Sequence, residues 1–531
     1  METEVTKKVS KGAFSFFSGT LISRVSGLGR DMSLAFCFGS HPAIAAFMVA
    51  YRFSNLFRRL IGEGSLPAGF VPHFEELRKD RPEEGARFFR DVFFSALFFL
   101  VGLILFLSLG LGAYLQYASV SEAAREILSL TLLMLPGLLF ICLYAVSSAL
   151  LQCERKFFLS GIAPLFFNIS WIVTAFFFRD SIPSQAAVAL SLAVVVGFFL
   201  QWLFLFPALR SYLRTFLSWK EICKFRLFSL EVRGLLKPFS LGLIGVSATQ
   251  VNSLMDSIFA TYASLEGPAY LWYAIRIQQL PIALFGIALA SALLPPLARS
   301  ASKEDWGPFQ GLLRYSFTKS FHFIFPCVIA VFVLAACGVN LLYGRGDFSL
   351  EATSQTILCL WGYSVGLLPA VFVLLLAPAF YAQKNFRVPM QAAVISMGIN
   401  IALNALFVFG FQLGAVSIAL STSFSAWFNC WFLQRALKQQ KWLNADAYKG
   451  ALCALIAGGV TLLLGHFLVQ DPTVSLITQK TAVTFSRSFS EQALQFFVLS
   501  GTFCLTFLSY AWFFDVQEVL SFFRIPSRKA V

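Results

Sequence analysis

The stretch that decides the fold joins an apolar run to a basic one. Ser184–Leu209 reads SQAAVALSLAVVVGFFLQWLFLFPAL and contains no charged residue. Arg210–Lys237 follows at once, reads RSYLRTFLSWKEICKFRLFSLEVRGLLK, and contains seven basic residues. An uncharged run of 26 residues is long enough to cross a bilayer as one helix. A basic run directly after such a helix is typical of a connection on the cytoplasmic side.

The composition extends this pattern to the whole chain. Of 531 residues, 58% are apolar and 13% are charged, against about 45–50% and about 25% in globular domains. A soluble enzyme and a disordered chain are both excluded. The net charge of +14 indicates, in a membrane protein, basic cytoplasmic loops and anionic lipid rather than nucleic acid. The ten cysteines are scattered without a CxxC pair, so neither a zinc site nor a disulfide framework is expected.

Apolar runs separated by Gly, Pro and charged residues predict an all-α polytopic membrane protein with about fourteen transmembrane helices. The predicted spans lie near 12–38, 42–76, 88–116, 124–152, 157–178, 184–209, 238–263, 267–298, 312–342, 354–382, 388–411, 413–434, 450–469 and 490–523. The basic connection follows the sixth span and divides the chain. The predicted regions are an N-terminal six-helix lobe, the cytoplasmic connection, a C-terminal six-helix lobe and two additional helices, at 1–209, 210–237, 238–440 and 441–531.

The distribution of basic residues between the predicted spans sets the orientation. With the N-terminus in the cytoplasm, the inside segments hold 30 of the 41 Lys and Arg residues, counting a residue at the uncertain end of a span with its segment. These segments are 1–11, 77–90, 153–156, 210–237, 299–319, 383–387, 435–449 and 524–531. The outside segments hold only five, which are Arg125, Arg179, Arg345, Lys480 and Arg487. This split follows the positive-inside rule. We therefore expect a multi-pass protein of the plasma membrane with both termini in the cytoplasm.

Six basic residues remain inside the predicted spans, and all of them are arginines: Arg24, Arg30, Arg52, Arg58, Arg59 and Arg276. An arginine at mid-bilayer costs about 2.5–3.5 kcal/mol, so six that face lipid are not expected. Three acids, Asp31, Glu63 and Asp256, are counted as remaining within the predicted spans as a whole, which leaves an excess of three positive charges. A guanidinium is a rigid fork of donors that suits two oxygens of a phosphate. We predict a wet cavity that binds a diphosphate; alternatively, some arginines snorkel or form structural ion pairs.

The second predicted span carries a polar stripe. Arg52 and Arg59 are seven residues apart, so they fall within about 20° of each other on a helical wheel. Asn55 and Glu63 continue the stripe, and Glu63 lies four residues after Arg59, where it can pair with it. We therefore expect Asn55, Glu63 and, in the first span, Asp31 to be auxiliary residues of the site.

The second lobe contributes one arginine, Arg276, within YLWYAIRIQQLP. If the two lobes face each other, Arg276 and the arginines of the first lobe could bind one anion between them. The neighbouring rings of Tyr270, Trp272 and Tyr273 either stack on a sugar or belong to the outer aromatic belt.

A second set of polar residues could couple transport to an ion. Asp256 lies mid-helix in ATQVNSLMDSIF, and Asn400 and Asn404 lie four residues apart on one face of the eleventh span. Their oxygens could bind a sodium ion or relay a proton. Asp256 could instead pair with Arg276 or remain protonated. No other metal and no cofactor is expected.

Two long segments carry a family resemblance: SRVSGLGRDMSLAFCFG at 23–39 and AFMVAYRFSNLFRRLIGEGSLPAGFVPHFEEL at 46–77. Together with LFGIALASALLPPLARS at 284–300, GYSVGLLPA at 362–370 and LAPAFYAQKNFRVP at 376–389, they resemble the MurJ (MviN) lipid II flippases of the multidrug/oligosaccharidyl-lipid/polysaccharide exporter superfamily. The resemblance implies two six-helix lobes and a terminal helix pair that forms a lipid-binding groove. It also implies a bacterial inner-membrane protein whose substrate is undecaprenyl-diphosphate-linked GlcNAc-MurNAc-pentapeptide, moved from the cytoplasmic to the outer leaflet for peptidoglycan synthesis.

The resemblance also implies roles for individual residues. The family's cavity arginines fall on four intramembrane arginines of this chain: Arg24, Arg30, Arg58 and Arg276. Arg59 is adjacent to this set, and Arg52 stands where Lys is common. Two positions depart from the family pattern. The acid early in the second span is Ala45 here, and a position of the eleventh span that can be Asp is Asn404, which weakens the sodium hypothesis.

The expected activity is transport without catalysis. The arginines bind the diphosphate from the cytoplasm, the lobes rock, and the polar head is released outside while the prenyl tail stays in lipid. No GxxxxGK[ST] motif is present in the sequence, so the membrane potential or an ion gradient would drive the step. The alternatives are a flippase for another prenyl-diphosphate-linked glycan, an ion-coupled small-molecule exporter of the same superfamily, and a membrane scaffold. Expected partners are lipid II, membrane lipids and cell-wall synthesis proteins.

Overall fold

The computed structural model describes residues 2–57, 59–60, 66–227, 229–286, 296–297, 299–300, 306–437, 442–443, 446–469, 471–478, 485–523 and 525–526. Every regular element within these ranges is a helix. The helices form two compact units, Met1–Ile258 and Phe259–Val531.

The first unit contains the helices α1 (Glu2–Phe38), α2 (Pro42–Phe57), α3 (Leu66–Asp80), α4 (Pro82–Tyr117), α5 (Glu122–Met134), α6 (Gly137–Cys153), α7 (Phe157–Ile162), α8 (Pro164–Phe177), α9 (Pro183–Phe216), α10 (Trp219–Cys223) and most of α11 (Leu230–Ala263). Local sequence signals place several of these ends. Proline occupies the first turn of α4, α8 and α9, where its missing N–H would have no helical partner. Gly39 follows α1 at a φ of 59°, a conformation that favours glycine and ends the helix.

The second unit begins within α11 and continues with α12 (Gly267–Pro281), a π-helical turn (Ile282–Gly286), α13 (Trp306–Tyr343), α14 (Leu350–Val365), α15 (Leu367–Ala382), α16 (Arg387–Ala405), a second π-helical turn (Leu406–Gly410), α17 (Val416–Leu437), α18 (Asp446–Leu468), α19 (Thr473–Ile477), α20 (Phe489–Phe513) and α21 (Gln517–Phe523). The terminal helices α18 and α20 pack against each other and against α13. Their shared core includes Ala454, Ala457, Phe503 and Phe507, so small residues on α18 receive large rings from α20.

The predicted fold class is confirmed, because each of the fourteen predicted spans coincides with one helix or with consecutive helices of the described residues. Eight helices in the described ranges are long and apolar enough to cross a membrane, or ten if two bent pairs each form one span. The four predicted spans outside that set contain α1, α2, α11 and α12. These four carry every candidate site residue except Asn400 and Asn404. Helices α2 and α12 fall outside that set because their described lengths are 16 and 15 residues.

The two bent pairs have local causes. Helices α5 and α6 meet at 47°, with Pro136 at the junction, and α14 and α15 meet at 41°, with Gly366 between them. A Cβ atom at Gly366 would lie 2.6 Å from Ser423 Oγ of α17, so only glycine allows this close approach. Each bend therefore has a residue that either lacks an N–H or lacks a side chain.

Two segments expected to be connections are largely helical. Helix α4 begins at Pro82 rather than near 88, which places Arg87 and Arg90 on a helix. Within 210–237, α9 continues to Phe216, α10 follows, and α11 begins at Leu230. Charged residues are good helix formers in water, so a helix can continue past the end of its apolar run. The boundary between the two compact units falls inside α11; the four-region division from the sequence stays a prediction.

Candidate functional site

Arg30 lies in a buried polar cluster between α1 and α8. Its Nε and Nη2 atoms donate to Asp31 Oδ1 at 3.0 and 2.8 Å, and its Nη1 donates to Asn168 Oδ1 at 3.2 Å. Arg30 is 7% exposed, Asp31 2% and Asn168 4%. The neighbouring carboxylate therefore compensates this guanidinium inside the protein, and burial strengthens the pair relative to one in water.

Two aromatic rings of α8 cover the same guanidinium, and a ring of α2 packs on both of them. Its carbon lies 4.7 Å from the ring centroid of Trp171 and 5.9 Å from that of Phe167, distances at which a cation is attracted to a ring face. Tyr51 of α2, the residue before Arg52, packs against both rings, with centroids 5.0 and 6.1 Å away. One aromatic cluster thus connects the arginine of α1 to the arginine-bearing end of α2.

Arg24 has a different environment on the same helix. It is exposed and forms no hydrogen bond or ion pair with any residue that the structure describes. Gly27 and Gly29 lie between Arg24 and Arg30, and no neighbouring atom lies within 4 Å of a Cβ built at Gly29. In the first unit, Arg24 is therefore a cation that remains available to a ligand.

Arg52 and Arg59 both contact α11. Arg52 Nη1 donates to Ser253 O at 3.2 Å and to Ser253 Oγ at 3.5 Å, and Arg59 Nη1 donates to Gln250 Oε1 at 3.4 Å. The acceptors of these hydrogen bonds are a backbone carbonyl, a hydroxyl and an amide, all of them neutral groups. The structure ends α2 at Phe57 and places Arg59 in a π-helical turn, whereas the sequence pattern assumed one continuous helix.

Some predicted members of this stripe cannot be placed. Arg58 and Glu63 lie outside the described residues, so the predicted pair between Glu63 and Arg59 stays a prediction. Asn55 is half-buried on α2, on the same stretch as Arg52.

Arg276 belongs to α12 in the second unit. Its guanidinium carbon lies 4.5 Å from the centroid of the Trp272 ring. The rings of Tyr270, Trp272 and Tyr273 are at most 4% exposed, and Tyr273 packs against Tyr343 at 4.8 Å between centroids. In this structure the three rings are thus part of the protein interior rather than an outer belt, and Trp272 supports Arg276.

The predicted ion-coupling residues divide between the two units. Asp256 is 5% exposed on α11 in the first unit. In the second unit, Asn404 Nδ2 donates to Asn400 Oδ1 at 2.6 Å, and Asn400 Nδ2 donates to Thr422 Oγ1 at 3.4 Å. Both asparagines are fully buried. Their amide and hydroxyl oxygens are hard ligands that suit a cation, but their coupling role stays a prediction.

An apolar cavity in the second unit is lined in part by α12, the helix that carries Arg276. It has a volume of about 190 Å³. Its lining includes Ile277 and Leu280 of α12, Leu334 of α13 and Phe496 of α20. The cavity is therefore enclosed by helices of the second predicted lobe and by α20 of the terminal pair.

Comparison with known proteins decides the family. A profile described as "Lipid II flippase MurJ" matches residues 34–480. The chain belongs to the MurJ family. The probable lipid II flippase MurJ of Chlamydia trachomatis is 31% identical over 523 residues, which are 96% of this chain and 95% of the relative. The probable lipid II flippase MurJ of Vibrio cholerae is 30% identical over 490 residues, 89% of this chain and 91% of the relative.

Solved structures show the same fold. A structure described as lipid II flippase MurJ in an inward closed conformation superposes with a TM-score of 0.74 at 22% identity, over 94% of this chain and 98% of that chain. An inward-facing MATE family transporter of the MOP superfamily superposes with a TM-score of 0.63 at 14% identity, over 84% of this chain and 98% of that chain. The resemblance drawn from the sequence motifs is thus confirmed. This MurJ family member is a multi-pass membrane transporter and not an enzyme.

Sequence reasoning missed two features of the first unit. Asn168 of α8 joins the Arg30 cluster, and its only sequence signal is a polar amide within the apolar run PLFFNISWIVTAFF. Arg90 and Asp91 form a buried pair on α4 that contacts the connection, although the charge pattern assigned Arg90 to a loop. Neither contact could be read from helical spacing, because each joins elements that are far apart in the sequence.

Proposed function

We propose that this MurJ family member flips lipid II from the cytoplasmic to the outer leaflet of the bacterial inner membrane. The substrate would be undecaprenyl-diphosphate-linked GlcNAc-MurNAc-pentapeptide. The proposal combines the family assignment with the chemistry of the intramembrane arginines, since a guanidinium fork matches the oxygens of a diphosphate.

The observation that carries the diphosphate site is the contrast within α1. Arg30 is already compensated by Asp31, whereas Arg24 is exposed without an acidic partner among the described residues. Arg52 and Arg59 donate hydrogen bonds to Ser253 and Gln250 of α11. An anionic head would bind exposed Arg24, and Arg52, Arg59 and Arg276 would add further guanidinium donors for its oxygens.

The apolar cavity lined by α12 supports a place for part of the prenyl tail. Its lining comes from α12, α13, α14 and the terminal helix α20. A polar head held by arginines and a tail held by apolar helices would together recognise a prenyl diphosphate rather than a soluble nucleotide. Most of a long prenyl chain would remain in the surrounding lipid.

Transport would follow an alternating-access cycle in which the polar head crosses between the two lobes and the arginines release it outside. We propose that both termini lie in the cytoplasm, as the basic residues indicate. The membrane potential, sodium or protons would drive the cycle, with Asp256, Asn400 and Asn404 as coupling residues. Replacement of Asp256 by Asn should change the sodium or pH dependence of transport; an unchanged profile would remove Asp256 from coupling.

Complementation of a bacterial strain depleted of its own lipid II flippase tests the proposed function. Expression of this chain should restore growth and the appearance of lipid II on the outer leaflet. The Arg125→Ala variant is a matched control, because Arg125 is an exposed arginine that the charge count places with the outside segments, and it should complement fully. Failure to restore outward lipid II, together with rescue of a strain lacking a flippase for another prenyl-diphosphate-linked glycan, would contradict lipid II as the substrate.

A further inference from the structure

We propose that Asn168 is a positioning residue that sets the orientation of the arginine-bearing part of α1. The inference rests on the proposed function for its transport consequence, while its geometric content stands on contacts within the first unit. Asn168 lies on α8 and is 4% exposed.

The side chain of Asn168 contacts α1 at three points. Its Nδ2 atom donates to Ser23 O at 3.0 Å and to Ser26 Oγ at 2.8 Å, and its Oδ1 atom accepts from Arg30 Nη1 at 3.2 Å. Both amide hydrogens and one face of the carbonyl oxygen are thereby used. The contacted residues, Ser23, Ser26 and Arg30, lie along the part of α1 that carries both Arg24 and Arg30.

The chemistry of the partners fixes the orientation of this amide. An arginine can only donate, so Oδ1 must face Arg30, and a backbone carbonyl can only accept, so Nδ2 must face Ser23. No other side chain of similar size offers two donors and an acceptor in this arrangement. An aspartate would keep the acceptor for Arg30 but would turn a carboxylate oxygen toward the carbonyl oxygen of Ser23.

The same part of α1 is structurally permissive. Gly27 lies between the contacted residues, and a Cβ atom there would meet Asn168 Nδ2 at 3.6 Å. Ser23 and Ser26 each donate their hydroxyl to a backbone carbonyl three residues earlier, Thr20 O and Ser23 O, a type of bond that bends helices. A helix segment with glycines and such serine bonds needs an external contact to fix its direction, and Asn168 supplies one.

Aromatic packing fixes the part of α8 that carries Asn168. Its neighbours Phe167 and Trp171 on α8 pack beneath Arg30 and against Tyr51 of α2. The position of the amide is therefore set by α8 and α2 together, and the contact to α1 transmits that position to Arg30 and to the turn that follows Arg24.

Chemical modification of arginines by phenylglyoxal, mapped by mass spectrometry on the purified full-length protein, tests the positioning directly and without substrate. In the wild type, Arg24 should react and Arg30 should be protected. The Asn168→Ala variant should raise the reaction rate of Arg30 at least fivefold. The Asn168→Asp variant should keep Arg30 protected, because its carboxylate still accepts from Nη1.

The matched control is Ser170→Ala, also on α8. It removes the hydrogen bond from Ser170 Oγ to Ala193 O of α9 at 2.9 Å, a contact that does not involve α1. It should leave the reactivity of Arg30 unchanged. In vesicles, both Asn168 variants should lower lipid II flipping at least tenfold, while Ser170→Ala should not.

Three outcomes would overturn the positioning role. The first is an Arg30 in the Asn168→Ala variant that reacts with phenylglyoxal as slowly as in the wild type. The second is an equal rise in the reaction rate of Arg30 in the Ser170→Ala variant. The third is lipid II flipping at the wild-type rate by both Asn168 variants. A wild type that binds and flips no lipid II, but whose Arg30 still becomes reactive in Asn168→Ala, would contradict the proposed function and leave the positioning of Arg30 supported.

Discussion

Two Arg–Asp dipeptides in the first unit have the same local geometry and different surroundings. In both, the guanidinium donates to Oδ1 of the next residue: Arg30 to Asp31 at 2.8 Å and Arg90 to Asp91 at 2.6 Å. Both pairs are buried. Arg30 also donates to the side chain of Asn168 on α8. The helix that carries Arg30 also carries exposed Arg24.

The second pair instead contacts the main chain of the connection between α9 and α11. Arg90 Nη1 donates to Glu221 O at 2.6 Å, and Asp91 Oδ1 accepts from the backbone N–H of Arg226 at 3.0 Å. Phe225 adds an apolar contact, because its ring stacks on Phe94 at 4.4 Å between centroids. The same dipeptide therefore fixes a connection in one place and lies within the expected transport site in the other.

The comparison teaches that a count of arginines overstates the charge available to a ligand. The sequence assigned Arg30 to the cavity and Arg90 to the cytoplasmic loops, yet each is compensated by the residue that follows it. What distinguishes them functionally is the third partner and the neighbouring residues, not the ion pair itself.

The largest expected effect is the loss of stability when either arginine is removed alone. Arg30→Ala and Arg90→Ala each leave a buried carboxylate without its guanidinium, which should lower the free energy of unfolding by about 3–5 kcal/mol. Thermal or chemical unfolding of the detergent-purified protein measures this loss. Arg87→Ala is the control, since Arg87 is half-exposed in its contact with Glu221 and should change stability by less than about 1 kcal/mol. Equal losses in all three variants would mean that burial of the pairs is not the cause.

Double substitutions separate the two pairs by function. Arg30→Met with Asp31→Asn, and Arg90→Met with Asp91→Asn, each remove both charges, so stability should return to within about 2 kcal/mol of the wild type. Lipid II flipping in vesicles should stay low for the first double variant and recover for the second. Recovery of flipping by both would show that the Arg30 pair, like the Arg90 pair, has only a structural role.

The connection between α9 and α11 should be less firmly bound to α4 at acid pH. A capping interaction with the backbone and hydroxyl of Ser218, with a further contribution from Arg87, lowers the pKa of Glu221 to about 2. Because the pKa in the folded state lies below its ordinary value of 4.5, Glu221 stabilises the connection above that pH and the contribution is lost as the pH falls toward 2. Hydrogen exchange of 218–226, corrected for intrinsic rates, should show this loss. A Glu221→Gln variant with the same pH dependence would rule out Glu221 as its origin.

The smallest expected effect concerns the side chain of Arg226. Its backbone N–H, not its exposed guanidinium, donates to Asp91. Arg226→Ala should therefore change the unfolding free energy by less than about 0.5 kcal/mol, whereas Arg226→Pro, which deletes the N–H, should undock the connection in hydrogen exchange. A large effect of Arg226→Ala would require a role for the guanidinium.

Helix positions and the membrane class could be predicted from the sequence because apolar run length is set by bilayer thickness. The common direction of Arg52 and Arg59 toward α11 also agrees with their seven-residue spacing. The compensation of Arg30 by Asp31 could not be predicted, since adjacent residues on a helix point about 100° apart and only the length of the arginine side chain lets them meet. Asn168 could not be assigned either, because its role depends on how α8 packs on α1.

The central claim is that intramembrane arginines bind the diphosphate. Its most direct test is to measure the outward exposure of lipid II in cells that depend on the Arg24→Ala or Arg276→Ala variant. Both variants should insert and fold as the wild type does, because each removes a cation from a predicted span and leaves the buried rings around it, such as Trp272, in place. The account predicts that lipid II then stays on the cytoplasmic leaflet. Normal outward exposure of lipid II in both variants would contradict it.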